Sequence, residues 1–100
     1  MYIVFLRFAE QRHLAGPLME AHNAWVQRGL DQGVFLLVGS LKPGLGGAVL
    51  AHGCSRDQLE RRLAEDPFVA EGVVRAELHE VAPARAEARL AFLVAQARLG

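Results

Sequence analysis

The chain has 100 residues, 52% hydrophobic and 22% charged, and its eleven basic and eleven acidic side chains give a formal net charge of +0 at pH 7. This length fits one domain, and the apolar composition excludes a disordered segment and favours an oligomer. The balanced charge, with no run of Lys or Arg on one predicted face, argues against a nucleic-acid partner. The single cysteine, Cys54, fits a reducing cytoplasm, and apolar runs far shorter than about 18 residues predict neither a secretory signal nor a membrane span.

The first half of the chain predicts a strand, a long helix and a hairpin. Residues 2–8 are aromatic and β-branched, which is typical of a strand. Pro17 fits the first turn of a helix that ends at Gly33, a residue suited to a left-handed C-cap. The apolar runs 34–41 and 46–51, separated by the turn-forming sequence KPGLGG, predict a hairpin.

The second half predicts a helix, a strand and a further helix. Ser55 is suited to the N-cap of a helix that buries Leu59 and Leu63 among charged residues. Residues 73–81 alternate between an apolar and a polar side, which predicts a fourth strand. The Ala-rich tail, residues 84–99, predicts a third helix that docks on its own or the partner subunit.

These elements follow the order β-α-β-β-α-β, the split βαβ arrangement of the α+β class. In this arrangement both helices cover one face of a four-stranded antiparallel sheet, and the opposite face is left bare. Ile3 and Phe5 fall on the bare face, where they would expose an apolar patch in a monomer. We therefore predict that two sheets pack face to face in a homodimer.

His22 is the most suggestive side chain for chemistry. It lies at helical spacing with the apolar face of the first helix, so it points inward. An inward histidine is either a core residue hydrogen-bonded to a backbone carbonyl or a general acid or base. The position alone leaves both interpretations open.

Asp66 opens the segment DPFVAEG and has a structural explanation. It is suited to the N-cap of one extra helical turn, with Pro67 as the first helical residue and Gly72 after the end. A carboxylate fixed at that point could also orient a histidine and stabilise its protonated form. Capping and proton transfer do not exclude each other.

Five other side chains are weaker candidates for binding a small molecule. Arg75 and His79 share one side of the fourth strand and could line a cavity between subunits, as could Arg7 on the bare side of the first strand. Ser40 and Lys42 lie beside glycines whose backbone N–H groups could bind an anion, although a flexible hairpin loop also explains that stretch. No set of His, Cys and carboxylate residues has metal-ligand spacing, so we expect neither a metal nor a cofactor.

Two stretches resemble the YciI-like (YCII-related) family over about residues 1–82: MEAHNAWVQRGLDQGVFLLVGSL and LAEDPFVAEGVVRAELHEVAP. The resemblance implies a ferredoxin-like domain, residues 1–82, that forms a dimeric α+β barrel. Residues 83–100 are then a C-terminal helical extension that packs on the same domain or on the dimer partner. By position, the His and Asp pair proposed for this family would be His22 and Asp66 here.

The leading hypothesis is a small cytoplasmic enzyme that acts as a cofactor-independent lyase or isomerase on a small organic molecule. His22 would move a proton and Asp66 would orient or charge the imidazole. The resemblance implies chemistry like that of dehydrochlorinases of chlorinated hydroxyquinols or of muconolactone isomerases. The alternative is a non-catalytic small-molecule-binding or assembly module with the same barrel fold. A cofactor-free monooxygenase ranks below both, because no residue here points to oxygen chemistry.

Overall fold

A computed structural model describes residues 1–99 of the chain. Its α-helices and strands follow the predicted βαββαβ order, with one short α-helix inserted before the last strand and one α-helix after it. They are β1 (Tyr2–Phe8), α1 (Ala15–Asp31), β2 (Phe35–Leu41), β3 (Gly46–Ala51), α2 (Arg56–Ala64), α3 (Pro67–Ala70), β4 (Val74–Glu80) and α4 (Ala91–Leu99). Short 3₁₀ helices, Arg12–Leu14 and Ala88–Leu90, precede the first and the last α-helix. None of the helices within residues 1–99 has both the length and the apolar character that a membrane crossing requires.

The four strands form one antiparallel sheet in the order β2-β3-β1-β4. The first strand is therefore central, and it pairs with β3 on one side and β4 on the other. In this register Leu6 lies opposite Gly47 of β3 and Ala76 of β4. The strand order and the two covering helices confirm the predicted α+β, ferredoxin-like fold.

The core lies between the helices and one face of the sheet. Along β1, Tyr2, Val4 and Leu6 are buried, whereas Ile3 and Phe5 on the opposite face stay partly exposed. Side chains from the helices complete the same apolar cluster, chiefly Trp25, Leu59 and Leu63. The alternation expected for a sheet covered on one face is thus present, and the other face is open.

The helix ends agree with the sequence signals. The Ser55 hydroxyl accepts from the backbone N–H of Gln58 at 3.1 Å, and the Gln58 side chain accepts from the backbone N–H of Ser55 at 2.8 Å, which is a complete capping box. Beyond α1, Gly33 has a φ of 72°, the left-handed conformation predicted for it. These local signals place α1 and α2 where the sequence predicts them.

The C-terminal helix is shorter than predicted, because α4 begins at Ala91 and not at residue 84. Residues 84–87 are ARAE, which has good helix propensity but no apolar stripe to pack, and short helices depend on such packing. The α-helix starts where the sequence becomes apolar again, and the side chain of Leu93 is buried in the described part of the chain. Gln96 also bonds to His52 just after β3, with 3.0 Å between Oε1 and Nδ1. Gly100, the last residue of the predicted extension, lies outside the described residues.

Candidate functional site

His22 and Asp66 are 44 positions apart in the chain, yet their side chains meet. The Nδ1 atom of His22 on α1 lies 2.7 Å from Oδ1 of Asp66, the N-cap residue of α3. The same oxygen accepts the backbone N–H of Phe68 at 3.0 Å, as an N-cap should. Asp66 therefore caps α3 and binds the histidine through one atom.

The hydrogen bond assigns different roles to the two imidazole nitrogens. An ionised carboxylate can only accept, so Nδ1 of His22 carries the hydrogen and donates a hydrogen bond to Asp66. The lone pair of a neutral ring is then on Nε2, which has no hydrogen-bond partner within residues 1–99. The His22 side chain is 14% exposed, so the ring is not sealed from the outside. This arrangement matches two of the three members of a catalytic triad, the histidine and the carboxylate.

The imidazole plane is held by aromatic rings as well as by the carboxylate. Phe68 stacks on His22 with centroids 3.9 Å apart and an interplanar angle of 4°, and Trp25 lies 5.9 Å away at 28°. Trp25 is itself fixed, because its indole N–H donates to the carbonyl oxygen of Arg62 at 3.0 Å. The orientation of His22 is therefore set by contacts from α1, α2 and α3 together.

The second carboxylate oxygen of Asp66 is unusual. The residue is 0% exposed, and Oδ2 has no hydrogen-bond partner in the part of the chain that the structure describes. A buried acceptor without a partner costs about 1–3 kcal/mol, so such atoms are rare and call for a functional explanation. Here Oδ2 belongs to the carboxylate whose other oxygen, Oδ1, binds His22.

A cavity of about 330 Å³ lies beside His22, between α1 and the covered face of the sheet. Its walls are mainly apolar, with Leu6 and Val38 from the sheet and Phe68 from α3. The polar side chains that reach it are His22, Asn23 and Ser40. A concave, largely apolar site with a few converging polar groups is the usual form of a small-molecule site.

Of Ser40 and Lys42, the two binding candidates in the hairpin, Ser40 lies at this cavity. Ser40 is on β2 and pairs with Gly47, so its side chain faces α1 and lines the cavity. Lys42 lies in the turn after β2 and is not among the cavity-lining residues in the described part of the chain. The chain is strand up to Leu41 and again from Gly46, as the two apolar runs predict, and the turn between them occupies residues 42–45.

The other three binding candidates lie on the open face of the sheet, away from His22. Arg7 pairs with Arg75 across β1 and β4, and His79 pairs with Ile3 on the same face. The Arg7 side chain donates from Nε to Glu77 at 3.0 Å, and this hydrogen bond lowers the pKa of the Glu77 carboxyl. These residues share one face, as the alternation predicts, but they do not contribute to the cavity beside His22.

A wider cleft of about 460 Å³ lies near the end of α2 and contains Arg61, Arg62 and Cys54, but not the histidine pair. Two of the three arginines that line it donate within the chain, Arg61 to the carbonyl oxygen of Asp57 at 3.3 Å and Arg62 to the side chain of Gln32 at 2.6 Å. Burial raises the pKa of the Cys54 thiol, which disfavours its reactive thiolate form. The chemistry of the chain is therefore better sought at His22.

Sequence reasoning missed three residues of the site. Phe68 is a generic apolar residue in the sequence, and only the turn at Asp66 brings its ring against His22. Asn23 follows His22 directly and carries no periodic signal of its own. Gly47 belongs both to the turn-forming sequence KPGLGG and to the predicted strand 46–51, and nothing in the sequence indicates that its backbone forms part of the cavity wall.

Comparison with known proteins agrees with this fold. The family model described as the YCII-related domain matches residues 1–83. Among solved structures, the chain is similar to 5-chloro-2-hydroxyhydroquinone dehydrochlorinase from Burkholderia phenoliruptrix AC1100 in complex with 2,5-dihydroxybenzoquinone. The TM-score is 0.66, and the match covers 81% of this chain and 93% of that chain. Because the sequence identity is 15%, the similarity is one of fold. No curated protein sequence matches the chain significantly.

Proposed function

The chain belongs to the YCII-related family, and on that premise we propose that it is a small cofactor-independent enzyme that transfers a proton on a small organic molecule. The observation that carries the proposal is the 2.7 Å hydrogen bond from His22 Nδ1 to Asp66 Oδ1 at the edge of a cavity. His22 is the catalytic residue in this proposal. Asp66 is fully enclosed, so it acts as a positioning residue through the imidazole.

The geometry supports general base catalysis at Nε2. This nitrogen takes a proton from the bound molecule, while the Asp66 carboxylate holds the tautomer and stabilises the imidazolium that forms. In an isomerase the proton returns to a different atom of the same molecule. In a lyase a leaving group departs with its bonding electron pair, and the proton passes to water. A positioned base of this kind contributes about 10²–10⁴-fold to the rate.

The comparison supports the lyase or isomerase class by analogy of fold. The structural neighbour is named a dehydrochlorinase, and its structure contains a dihydroxybenzoquinone. Removal of HCl from an organic molecule is a proton transfer coupled to departure of a leaving group. A histidine held by a carboxylate beside an apolar cavity is suited to that reaction.

The alternative is a module that binds a small molecule, or only assembles, without catalysis. A packed interior would need no space at His22, so the cavity and the residual exposure of the ring count against a purely structural histidine. Binding without turnover is separated from catalysis by the experiment below.

The experiment measures deuterium uptake into the ring C–H positions of resorcinol in D₂O by proton NMR, together with chloride release from 5-chloro-2-hydroxyhydroquinone. We expect the wild-type chain to accelerate at least one reaction and His22→Gln to lose about 10²-fold or more of that rate. The matched control is His13→Gln, an exposed histidine outside the cavity, which should behave as wild type. Equal rates for His22→Gln and wild type would overturn the catalytic assignment. Binding of resorcinol without any acceleration would favour the binding module.

We also propose that two chains associate through the open face of the sheet. The single cysteine favours a cytoplasmic location for this dimer. Leu37 on β2 is 65% exposed, and Ile3, Phe5 and Leu50 are partly exposed on the same face. Arg7 lies over the ring of Phe5, with 5.2 Å from the guanidinium carbon to the ring centroid, which gives the apolar patch a polar edge. A patch of this composition is typical of an interface between subunits.

A further inference from the structure

Gly47 leaves space in the cavity that the fold does not require. It pairs with Leu6 of β1 and Ser40 of β2, so its missing side chain would project from the covered face of the sheet toward α1. A Cβ atom there would have Gly39 O at 3.4 Å as its nearest neighbour, an ordinary contact. At Gly46, by contrast, a Cβ would overlap the carbonyl group of Leu6. The backbone therefore needs glycine at position 46 and tolerates a side chain at position 47.

Apart from the imidazole of His22, the polar side chains of the cavity are an amide and a hydroxyl. Asn23 reaches it from α1 and Ser40 from β2, so hydrogen-bonding groups lie on both the helix wall and the sheet wall. Within residues 1–99, no Lys, Arg, Asp or Glu lines this cavity. An amide and a hydroxyl can each donate and accept, which suits hydroxyl or carbonyl oxygens and gives no counter-charge to a carboxylate or phosphate.

The volume sets the size of molecule that fits. A cavity of roughly 150 Å³ is large enough to hold benzene. The cavity beside His22 has about 330 Å³, which accommodates one ring with several substituents. The ring of Phe68 and the side chain of Val26 give it apolar walls for such a ring.

We propose that this cavity binds a single-ring molecule that carries hydroxyl or carbonyl groups and no strongly anionic group. Asn23 and Ser40 form hydrogen bonds to its oxygens, and Gly47 is the position that determines how large a ring is accepted. The proposal deepens the proposed function and rests on it, because His22 would transfer a proton on the molecule held here.

The size element is tested by measuring resorcinol binding to the full chain by calorimetry and ligand-observed NMR. Gly47→Val fills the cavity, so we expect at least a 10-fold loss of affinity, with a smaller loss for Gly47→Ala and melting temperatures within a few degrees of wild type. The control Ala64→Val enlarges an exposed side chain of α2 outside the cavity and should bind as wild type. If Gly47→Ala and Gly47→Val both fold and bind resorcinol as wild type does, the role of Gly47 is overturned.

The polar element is tested with Ser40→Ala and Asn23→Ala. Loss of one hydrogen bond to a bound hydroxyl should weaken resorcinol binding by about 3- to 10-fold, with no loss of toluene binding. Benzoate, an anion of similar size, should bind at least 10-fold more weakly than resorcinol to the wild-type chain. Benzoate binding as tight as that of resorcinol would overturn the assignment of an uncharged ligand.

His22→Gln separates this inference from the proposed function. We expect the variant to retain resorcinol binding and to lose catalysed deuterium exchange. If exchange continued at the wild-type rate, proton transfer by His22 would be wrong while the binding results for Gly47 and Ser40 stood. If neither resorcinol nor 5-chloro-2-hydroxyhydroquinone bound to the wild-type chain, the ligand class would be wrong.

Discussion

The imidazole of His22 lies flat against the ring of Phe68, with the two planes 4° apart and the centroids separated by 3.9 Å. The backbone N–H of Phe68 also donates to Oδ1 of Asp66, the atom that accepts from His22. The segment 66–68 at the start of α3 thus contacts the histidine ring twice, with Asp66 at its Nδ1 edge and Phe68 against its face. The position of His22 depends on this segment as much as on its own helix.

Replacing Phe68 with Leu should therefore affect proton transfer more than stability. The substitution keeps an apolar side chain of similar volume, so the free energy of unfolding should fall by less than about 1.5 kcal/mol. The flat contact with His22 is lost, and misplacement of a catalytic group by about 1 Å costs up to 10²-fold in rate. Urea denaturation and the deuterium-exchange assay give the two quantities.

A control for this variant is Leu63→Met, at a buried position in α2. It should lose a similar amount of stability and keep the wild-type rate. An unchanged rate in a folded Phe68→Leu chain would contradict a role for the ring in positioning His22.

Asp66→Asn separates capping from the effect of charge. Asn is as good an N-cap as Asp, so the hydrogen bond to Phe68 N can persist and the loss of stability should stay near 1 kcal/mol. The negative partner of the imidazole disappears, so we expect the exchange rate to fall by about 10²–10⁴-fold. Asp66→Ala should lose the cap as well, which costs about 0.5–2 kcal/mol. Wild-type rates in Asp66→Asn would show that the carboxylate charge has no part in the reaction.

Gly29→Ala should destabilise the fold although it lies inside α1. Alanine at an interior helix position normally gains about 1 kcal/mol over glycine. Here a Cβ would overlap the ring of Phe35, which is 2% exposed and cannot easily move, so we expect a net loss of about 1–3 kcal/mol. Thermal unfolding of Gly29→Ala and of wild type gives the sign of the change, and a higher melting temperature for the variant would contradict the overlap with Phe35.

Leu37→Glu should weaken association of two chains without unfolding either one. Leu37 is 65% exposed within one chain, so a charge there costs little in a monomer. In a sheet-to-sheet dimer the same charge would be buried without a partner, which costs several kcal/mol. Sedimentation velocity over a range of concentrations should show dimers for wild type and monomers for the variant. A monomeric wild type, or an equally dimeric variant, would exclude this interface.

Cys54 should react slowly with iodoacetamide in the folded chain at pH 7.5. Burial raises the pKa of its thiol, and the opposing attraction of the thiolate to Arg62 is weaker. The pH at which alkylation accelerates should therefore be higher for the folded chain than for the chain unfolded in urea. Because the pKa is higher in the folded state, this group favours folding most below its unfolded pKa and loses that contribution as pH rises through the folded value. Mass spectrometry of the alkylated protein gives both pH profiles, and coincident profiles would contradict the shift.

The parts of this fold that could be predicted are those encoded by neighbouring residues. Alternation along residues 2–8 predicts β1 and its buried side, and Ser55 and Gly33 mark helix ends, because each signal acts within a few positions. The inward direction of His22 follows from helical spacing in the same way. The start of α4 could not be read from propensity alone, since it depends on where Leu93 finds a surface to pack against.

The site was less predictable because it is assembled by contacts between distant segments. No local pattern connects His22 to a carboxylate 44 positions away, and the family resemblance was needed to pair it with Asp66. The opposition of Gly47 to Leu6 and Ser40 depends on the register of three strands, which a glycine-rich hairpin sequence does not reveal.

The single oxygen that Asp66 uses for both contacts has a consequence for how this sequence can change over generations. A lineage that no longer used the chemistry would still need a cap on α3, so Asp or Asn would be retained at position 66 by folding alone. His22 has no such second duty to a helix end, and it could drift to another residue. Among descendants of this chain, a retained aspartate beside a lost histidine would therefore mark the branches that do not carry out the proposed reaction.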